Sequence, residues 1–170
     1  MRARELGGLA ILAVFVADQA AKLAVARYFA EGGAPFALGP FLDFTLRWNR
    51  GVSFSLLAQS TEAGRWLLLA LTLAMTALLA FWLWRARAAL TGLGLGAVIG
   101  GALGNACDRL AYGAVVDYLD LHAFGRHFFV FNLADAAINV GVALLIVDLA
   151  FSPRDAQRRR REASHRTEQG

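Results

Sequence analysis

Cysteine occurs once in this chain of 170 residues, at Cys107, so no disulfide can form within it. Histidine is nearly as scarce. His122, His127 and His165 stand without an H-E-x-x-H or Cys-x-x-Cys companion, so no metal site and no cofactor is expected. Charge is thin as well: 18% of residues are charged against 58% apolar, with a mean hydropathy of +0.49. An ordinary soluble domain is nearer half apolar and about a quarter charged, so this poverty of charge points to lipid. The net charge of +4 does not argue for nucleic acid, because the one basic run, "RDAQRRRREASHR", trails an apolar segment.

What is abundant is apolar length. About 20 apolar residues cross a bilayer core. "WLLLALTLAMTALLAFWLW" (66–84) and "AALTGLGLGAVIGGALGNA" (88–106) do so without a charge. The tryptophans at both ends of the first suit the two membrane interfaces. The glycines of the second allow close helix packing in lipid. Segments 6–28 and 128–150 complete four expected spans, with outer connections at about 29–64 and 107–127. The fold class expected is mainly α and integral to the membrane, with a small β element on the outer face. Residues 1–153 form the membrane domain, and 154–170 form a basic, disordered tail. The first segment resembles a signal peptide, yet Asp18 and Lys22 follow directly and the apolar pattern resumes, so an uncleaved span is expected. Four spans put both termini on one side. Ten arginines fall on that side and six on the other, which predicts cytoplasmic termini. In the first outer connection, Leu42, Phe44, Leu46 and Trp48 alternate with polar residues, the period of a strand at the membrane surface.

A carboxylate inside a span costs roughly 3 kcal/mol even on lenient scales, so those present need a partner or a task. Asp18 and Lys22 lie one helical turn apart, acid first, the favourable order for an ion pair. Asp148 reads as structural near the cytoplasmic end of the last span, and Asn139 as a possible bridge between helices. Asp117 lies just beyond the third span, and Asp135 some seven residues into the fourth, a depth of roughly 10 Å. The connection between them can bring both carboxyls to the outer boundary, where a pair sharing one proton would activate water against a peptide bond. The alternative is that Asp135 pairs with Arg109 or Lys22 and does no chemistry. A small transporter or proton-relay subunit is the competing reading from another class.

The wording of the sequence bears on that choice. "GGALGNACDRLAYGAVVDYLD" and "FNLADAAINVG", with "DQAAK" and "NRGVSFS" earlier, closely resemble the four motifs of the lipoprotein signal peptidase (signal peptidase II) family, in order. The resemblance covers about residues 6–150. It implies an aspartic endopeptidase of the bacterial inner membrane that cuts prolipoproteins before a diacylglyceryl-modified cysteine, near its outer face and among membrane lipids. The family's catalytic aspartates fall on Asp117 and Asp135. Its polar site residues fall on Asn49, Asn105, Arg109 and Asn132, and its supporting positions on Asp18, Lys22 and Gly51. Globomycin-like cyclic peptides are the inhibitors implied. Arg50, Val52, Ser53 and Cys107 depart from the common pattern, and Asp120, three residues from Asp117, is assigned to the loop.

Overall fold

The computed structural model describes residues 2–50 and 62–151. Gly51, Val52, Ser53 and the tail 154–170 lie outside them. Four helices, α1 (Ala3–Ala30), α2 (Glu62–Arg85), α3 (Ala89–Tyr112) and α4 (Leu133–Ala150), are each long and apolar enough to cross a membrane. Four strands, β1 (Phe36–Gly39), β2 (Leu42–Asn49), β3 (Val115–Ala123) and β4 (Arg126–Phe131), form one antiparallel sheet in the order β1-β2-β3-β4.

α3 is the axis of the bundle. Its most apolar window is 61% buried, against 11–17% for the other three helices, whose outer faces are left for lipid. Its glycines make this possible. A Cβ on Gly92, Gly96 or Gly100 would meet the backbone oxygen of Ala3, Gly7 or Ile11. That series shows α1 running parallel to α3 at near backbone contact. On the side toward α4, Gly94 faces Gly141 and Gly101 faces Ala134, so α4 runs antiparallel. In lipid, where apolar tails offer no hydrophobic drive, such close van der Waals packing is what holds helices together.

Two expected boundaries are corrected. The stretch 107–127 is not a loop. α3 continues to Tyr112 and stops at Gly113, whose φ of 70° is the left-handed C-cap conformation. β3 follows, and Asp120 lies on it, buried, rather than in a loop. The fourth span does not start at 128, because "RHFFVF" is a strand whose His127, Phe129 and Phe131 pair with His122, Leu121 and Leu119 of β3. Its aromatic residues suit a pleated, half-buried surface.

The expected strand at 42–49 is β2, and its apolar face has protein partners. Phe44 stacks on Phe29 and meets Tyr28 edge-on at the end of α1, and Trp48 meets Tyr112 at the end of α3. The sheet is thereby seated on the ends of α1 and α3.

Candidate active site

α4 begins where the site is. Asn132 is its N-cap, and its side-chain Oδ1 accepts from the Asp135 N–H at 3.0 Å. Asp135 Oδ2 in turn accepts from the Asn132 N–H at 3.3 Å, a reciprocal capping box. Asp135 therefore sits in the first turn of α4, not two turns inside it. The positive end of the helix dipole favours a carboxylate there. The other early N–H groups of α4 are also taken: Leu133 donates to the Tyr118 hydroxyl and Ala134 to Asp18 Oδ1, at 3.2 and 2.9 Å. α1, β3 and the cap itself thus fix the start of this helix.

The Asn132 side chain joins the two aspartates. Its Nδ2 donates to Asp117 Oδ1 at 2.7 Å while its Oδ1 holds Asp135. Asn49, at the end of β2, donates to Asp117 Oδ2 at 2.8 Å. Asn105, on α3, donates to Asp135 Oδ1 at 2.8 Å. Asp117 is 1% exposed and Asp135 half-buried. The two carboxyls come from β3 and α4, and each is held by two amide donors. Burial pushes the Asp117 carboxyl up to about 6; the neighbouring Asp135 charge adds to this, and hydrogen bonds from Asn49 and Asn132 oppose it.

Arg109 projects from α3 beside the pair. Its Nη1 donates to the Asn105 carbonyl, and the carboxylates that act most on its charge are Asp135, Asp117 and Asp108. Its Nε is buried without a hydrogen-bond partner among the described residues. Asp135 forms no ion pair with Arg109 or Lys22 among the described residues, so the pairing alternative is not what the geometry contains. Asp120 is engaged elsewhere, its Oδ2 2.9 Å from His127 Nδ1. An offset of three along a strand turns its side chain to the opposite face from Asp117.

Beneath the pair lies a buried polar network. Lys22 Nζ is 2.8 Å from Asp18 Oδ2, as the spacing predicts, and also 2.8 Å from Asp108 Oδ2 and 2.9 Å from Asn105 Oδ1. Asp108 accepts from the Val116 N–H at the start of β3, and Gln19 bridges Asp18 and Asp108. One cation therefore serves two carboxylates and ties α1, α3 and β3 together. Asp108, Gln19 and Tyr118 were not singled out from the sequence. For Asp108 a signal existed: it follows Asn105 by three residues, on the same helical face, and precedes Arg109.

Four apolar helices capped by a small sheet, with the polar cluster at the sheet end, define a multi-pass membrane protein. The description "Signal peptidase (SPase) II" fits residues 10–151. A lipoprotein signal peptidase of Beijerinckia indica is 50% identical over 157 residues, covering 92% of this chain and 93% of that one. One of Methylobacterium radiotolerans is 50% identical over 145 residues, 84% of each chain. A solved bacterial membrane enzyme, determined in meso at 1.9 Å, superposes with a TM-score of 0.71 at 27% identity, covering 86% of this chain and 93% of its own. The chain belongs to the signal peptidase II family, a family of peptidases.

Proposed function

We propose that the chain removes signal peptides from bacterial prolipoproteins, hydrolysing the bond before a diacylglyceryl-modified cysteine with Asp117 and Asp135 as an aspartic dyad. The observation that carries this reading is Asn132, which holds both carboxyls at once: its side-chain Nδ2 donates to Asp117 of β3 and its backbone N–H to the carboxyl of Asp135 of α4. A buried pair of this kind keeps one proton between its members. Burial, the chief cause that raises Asp117 to about 6, favours Asp117 as the member that holds it. Asp135, at a helix N-terminus, is the base.

In the first step Asp135 takes a proton from water as the hydroxyl oxygen bonds to the scissile carbonyl carbon. Asp117 gives its proton to the carbonyl oxygen, leaving a neutral gem-diol. In the second step the carboxyl of Asp135 protonates the amide nitrogen, Asp117 takes a hydroxyl proton, and the C–N bond breaks. The products are a free amine on the lipidated cysteine and a carboxyl on the signal peptide. The pair is again singly protonated. Asn49, Asn105, Asn132 and Arg109 orient the carboxyls and the substrate backbone, and Asp18 and Lys22 support them from below. The acyl chains of the substrate remain in the outer leaflet, since burying a methylene there contributes about 0.8 kcal/mol, as it would in protein. Globomycin-like cyclic peptides are expected to compete for the same position.

A proton relay is the competing reading, and it needs titratable groups through the depth of the membrane. α2 between Trp66 and Trp84 carries none, and neither does α4 between Asp135 and Asp148. Purified protein given a lipidated prolipoprotein tests the assignment. Asp117→Asn and Asp135→Asn should each abolish cleavage while the protein still inserts, and Asp120→Asn should retain most activity. Turnover near wild type in either dyad variant would sink the mechanism.

A further inference from the structure

α4 presents one continuous stripe from its start to its end. Asp135, Asn139, Val142, Ile146 and Leu149 are spaced four, three, four and three, which keeps them on one helical face. Val142, Ile146 and Leu149 are 44, 61 and 73% exposed. On α3, Thr91, Val98 and Asn105 recur every seven residues toward the same helix, since Val98 lies against Gly141 and Asn105 donates to Asp135. At the end of this stripe farthest from Asp117 there is a cavity of about 330 Å³, bounded by Trp82 of α2, Thr91 of α3, and Val142, Ile146 and Asp148 of α4. The half-buried Asp148 carboxylate lines it, with Oδ2 held by the Thr91 hydroxyl.

The sign and the length of this arrangement both matter. Among the described residues the acids at that end are Glu5 and Asp148, and Glu5 is occupied at the start of α1 by the Arg2 N–H. Two of the guanidinium groups at that end have apolar partners: Arg85 lies over Phe81 and Arg4 over Trp84. From Asp135 to Asp148 is 13 residues of helix, roughly 20 Å along the axis. A secretory signal peptide has an apolar run of 7–15 residues preceded by positive charge. Laid as a helix along the stripe with its cleavage end at Asp135, such a run brings its leading cation to Asp148.

We propose that Asp148 is a specificity residue that receives the positively charged leading segment of the signal peptide, whose apolar run lies along α4 between Asp148 and Asp135. This rests on the signal-peptidase reading above. The contact is roughly 20 Å from the chemistry at 1.5 Å per helical residue, so it acts on binding and not on turnover.

The test uses the full chain in bicelles with two diacylglyceryl-modified precursors, one with lysines in its leading segment and one with glutamines in their place. Wild type should show a KM about five-fold lower for the lysine precursor, the effect of an ion pair near 1 kcal/mol, with equal kcat. Asp148→Asn should lose that preference, its KM rising only for the lysine precursor. Asp148→Lys should favour a precursor with glutamates in its leading segment. Thr91→Val, which removes the hydroxyl and keeps the carboxylate, should retain the lysine preference. If Asp148 only joins α3 to α4, or holds this chain's own arginine-rich tail, Asp148→Asn changes both precursors alike and the proposal fails. A lysine preference that persists in Asp148→Asn overturns it equally. Binding of the two precursors, read without turnover, keeps this outcome separate: loss of cleavage with intact charge-dependent binding would count against the dyad and not against Asp148.

Discussion

A carboxyl that titrates near 6 gives activity an alkaline limb, and Asp117 is such a group. The reaction needs one proton on the pair, so kcat/KM should fall as pH rises through the macroscopic value of the pair, and fall again in acid when the second carboxyl protonates. Asn49 donates to Asp117 and favours its ionised form. Asn49→Ala should therefore raise the Asp117 value and move the alkaline limb to higher pH; a limb that stays put or moves down would refute this role. Lys22, the only lysine in the chain, makes a different kind of prediction. It pairs with Asp18 and Asp108 together in a site where it is 3% exposed. Lys22→Met leaves two buried carboxylates without a cation, a loss on the order of 3–5 kcal/mol. Thermal unfolding in bicelles should show a large fall in midpoint, with activity lost as the fold is lost. An unchanged midpoint would mean the network is not structural.

At the scale of elements, the contact between α3 and α4 governs where Asp135 stands. A Cβ on Gly101 would meet the carbonyl of Ala134, one residue before Asp135. Gly101→Ala should push the start of α4 away and cost about 1–3 kcal/mol, the usual penalty of overpacking, with a disproportionate loss of kcat. Gly8 is the control. Nothing lies within 4 Å of a Cβ placed there, so Gly8→Ala should be neutral or stabilise by up to about 1 kcal/mol through helix propensity. Equal effects from the two substitutions, read by thermal unfolding and initial rate, would mean that close packing at Gly101 is unimportant. The sheet is the other positioning element. By seating Phe44 on α1 and pairing Arg47 of β2 with Asp117 of β3 in register, it delivers Asn49 to the carboxyl.

For the whole molecule, the helix directions put the start of α1 and the end of α4 at one end of the bundle, and Asp117 and Asp135 at the other. From the arginine asymmetry we propose that the terminal end faces the cytoplasm. Reporters fused after Arg4 or Arg166 should read cytoplasmic and one near Gly33 external, and the opposite pattern would invert the proposed access of substrate from the outer leaflet.

Membrane residence, the four apolar segments, the Asp18–Lys22 pair and the strand at 42–49 were legible in the sequence, because each depends on a local run or a fixed local period. So was the candidacy of Asp117 and Asp135, through motif resemblance. The tertiary structure decided what those periods cannot express. Residues 128–131 are apolar enough for a span, and only pairing with β3 makes them a strand, so Asp135 lies about a turn shallower than the apolar run implies. The hydrogen bond from Asn49 to Asp117 joins residues 68 apart, and that from Ala134 to Asp18 joins residues 116 apart. Lys22 has one acid at helical spacing and a second, Asp108, on another helix. Composition and period report which face of an element is apolar. The register between elements is set by glycine-to-backbone contact and by buried polar groups that must all find partners together, and it exists only once the helices have packed.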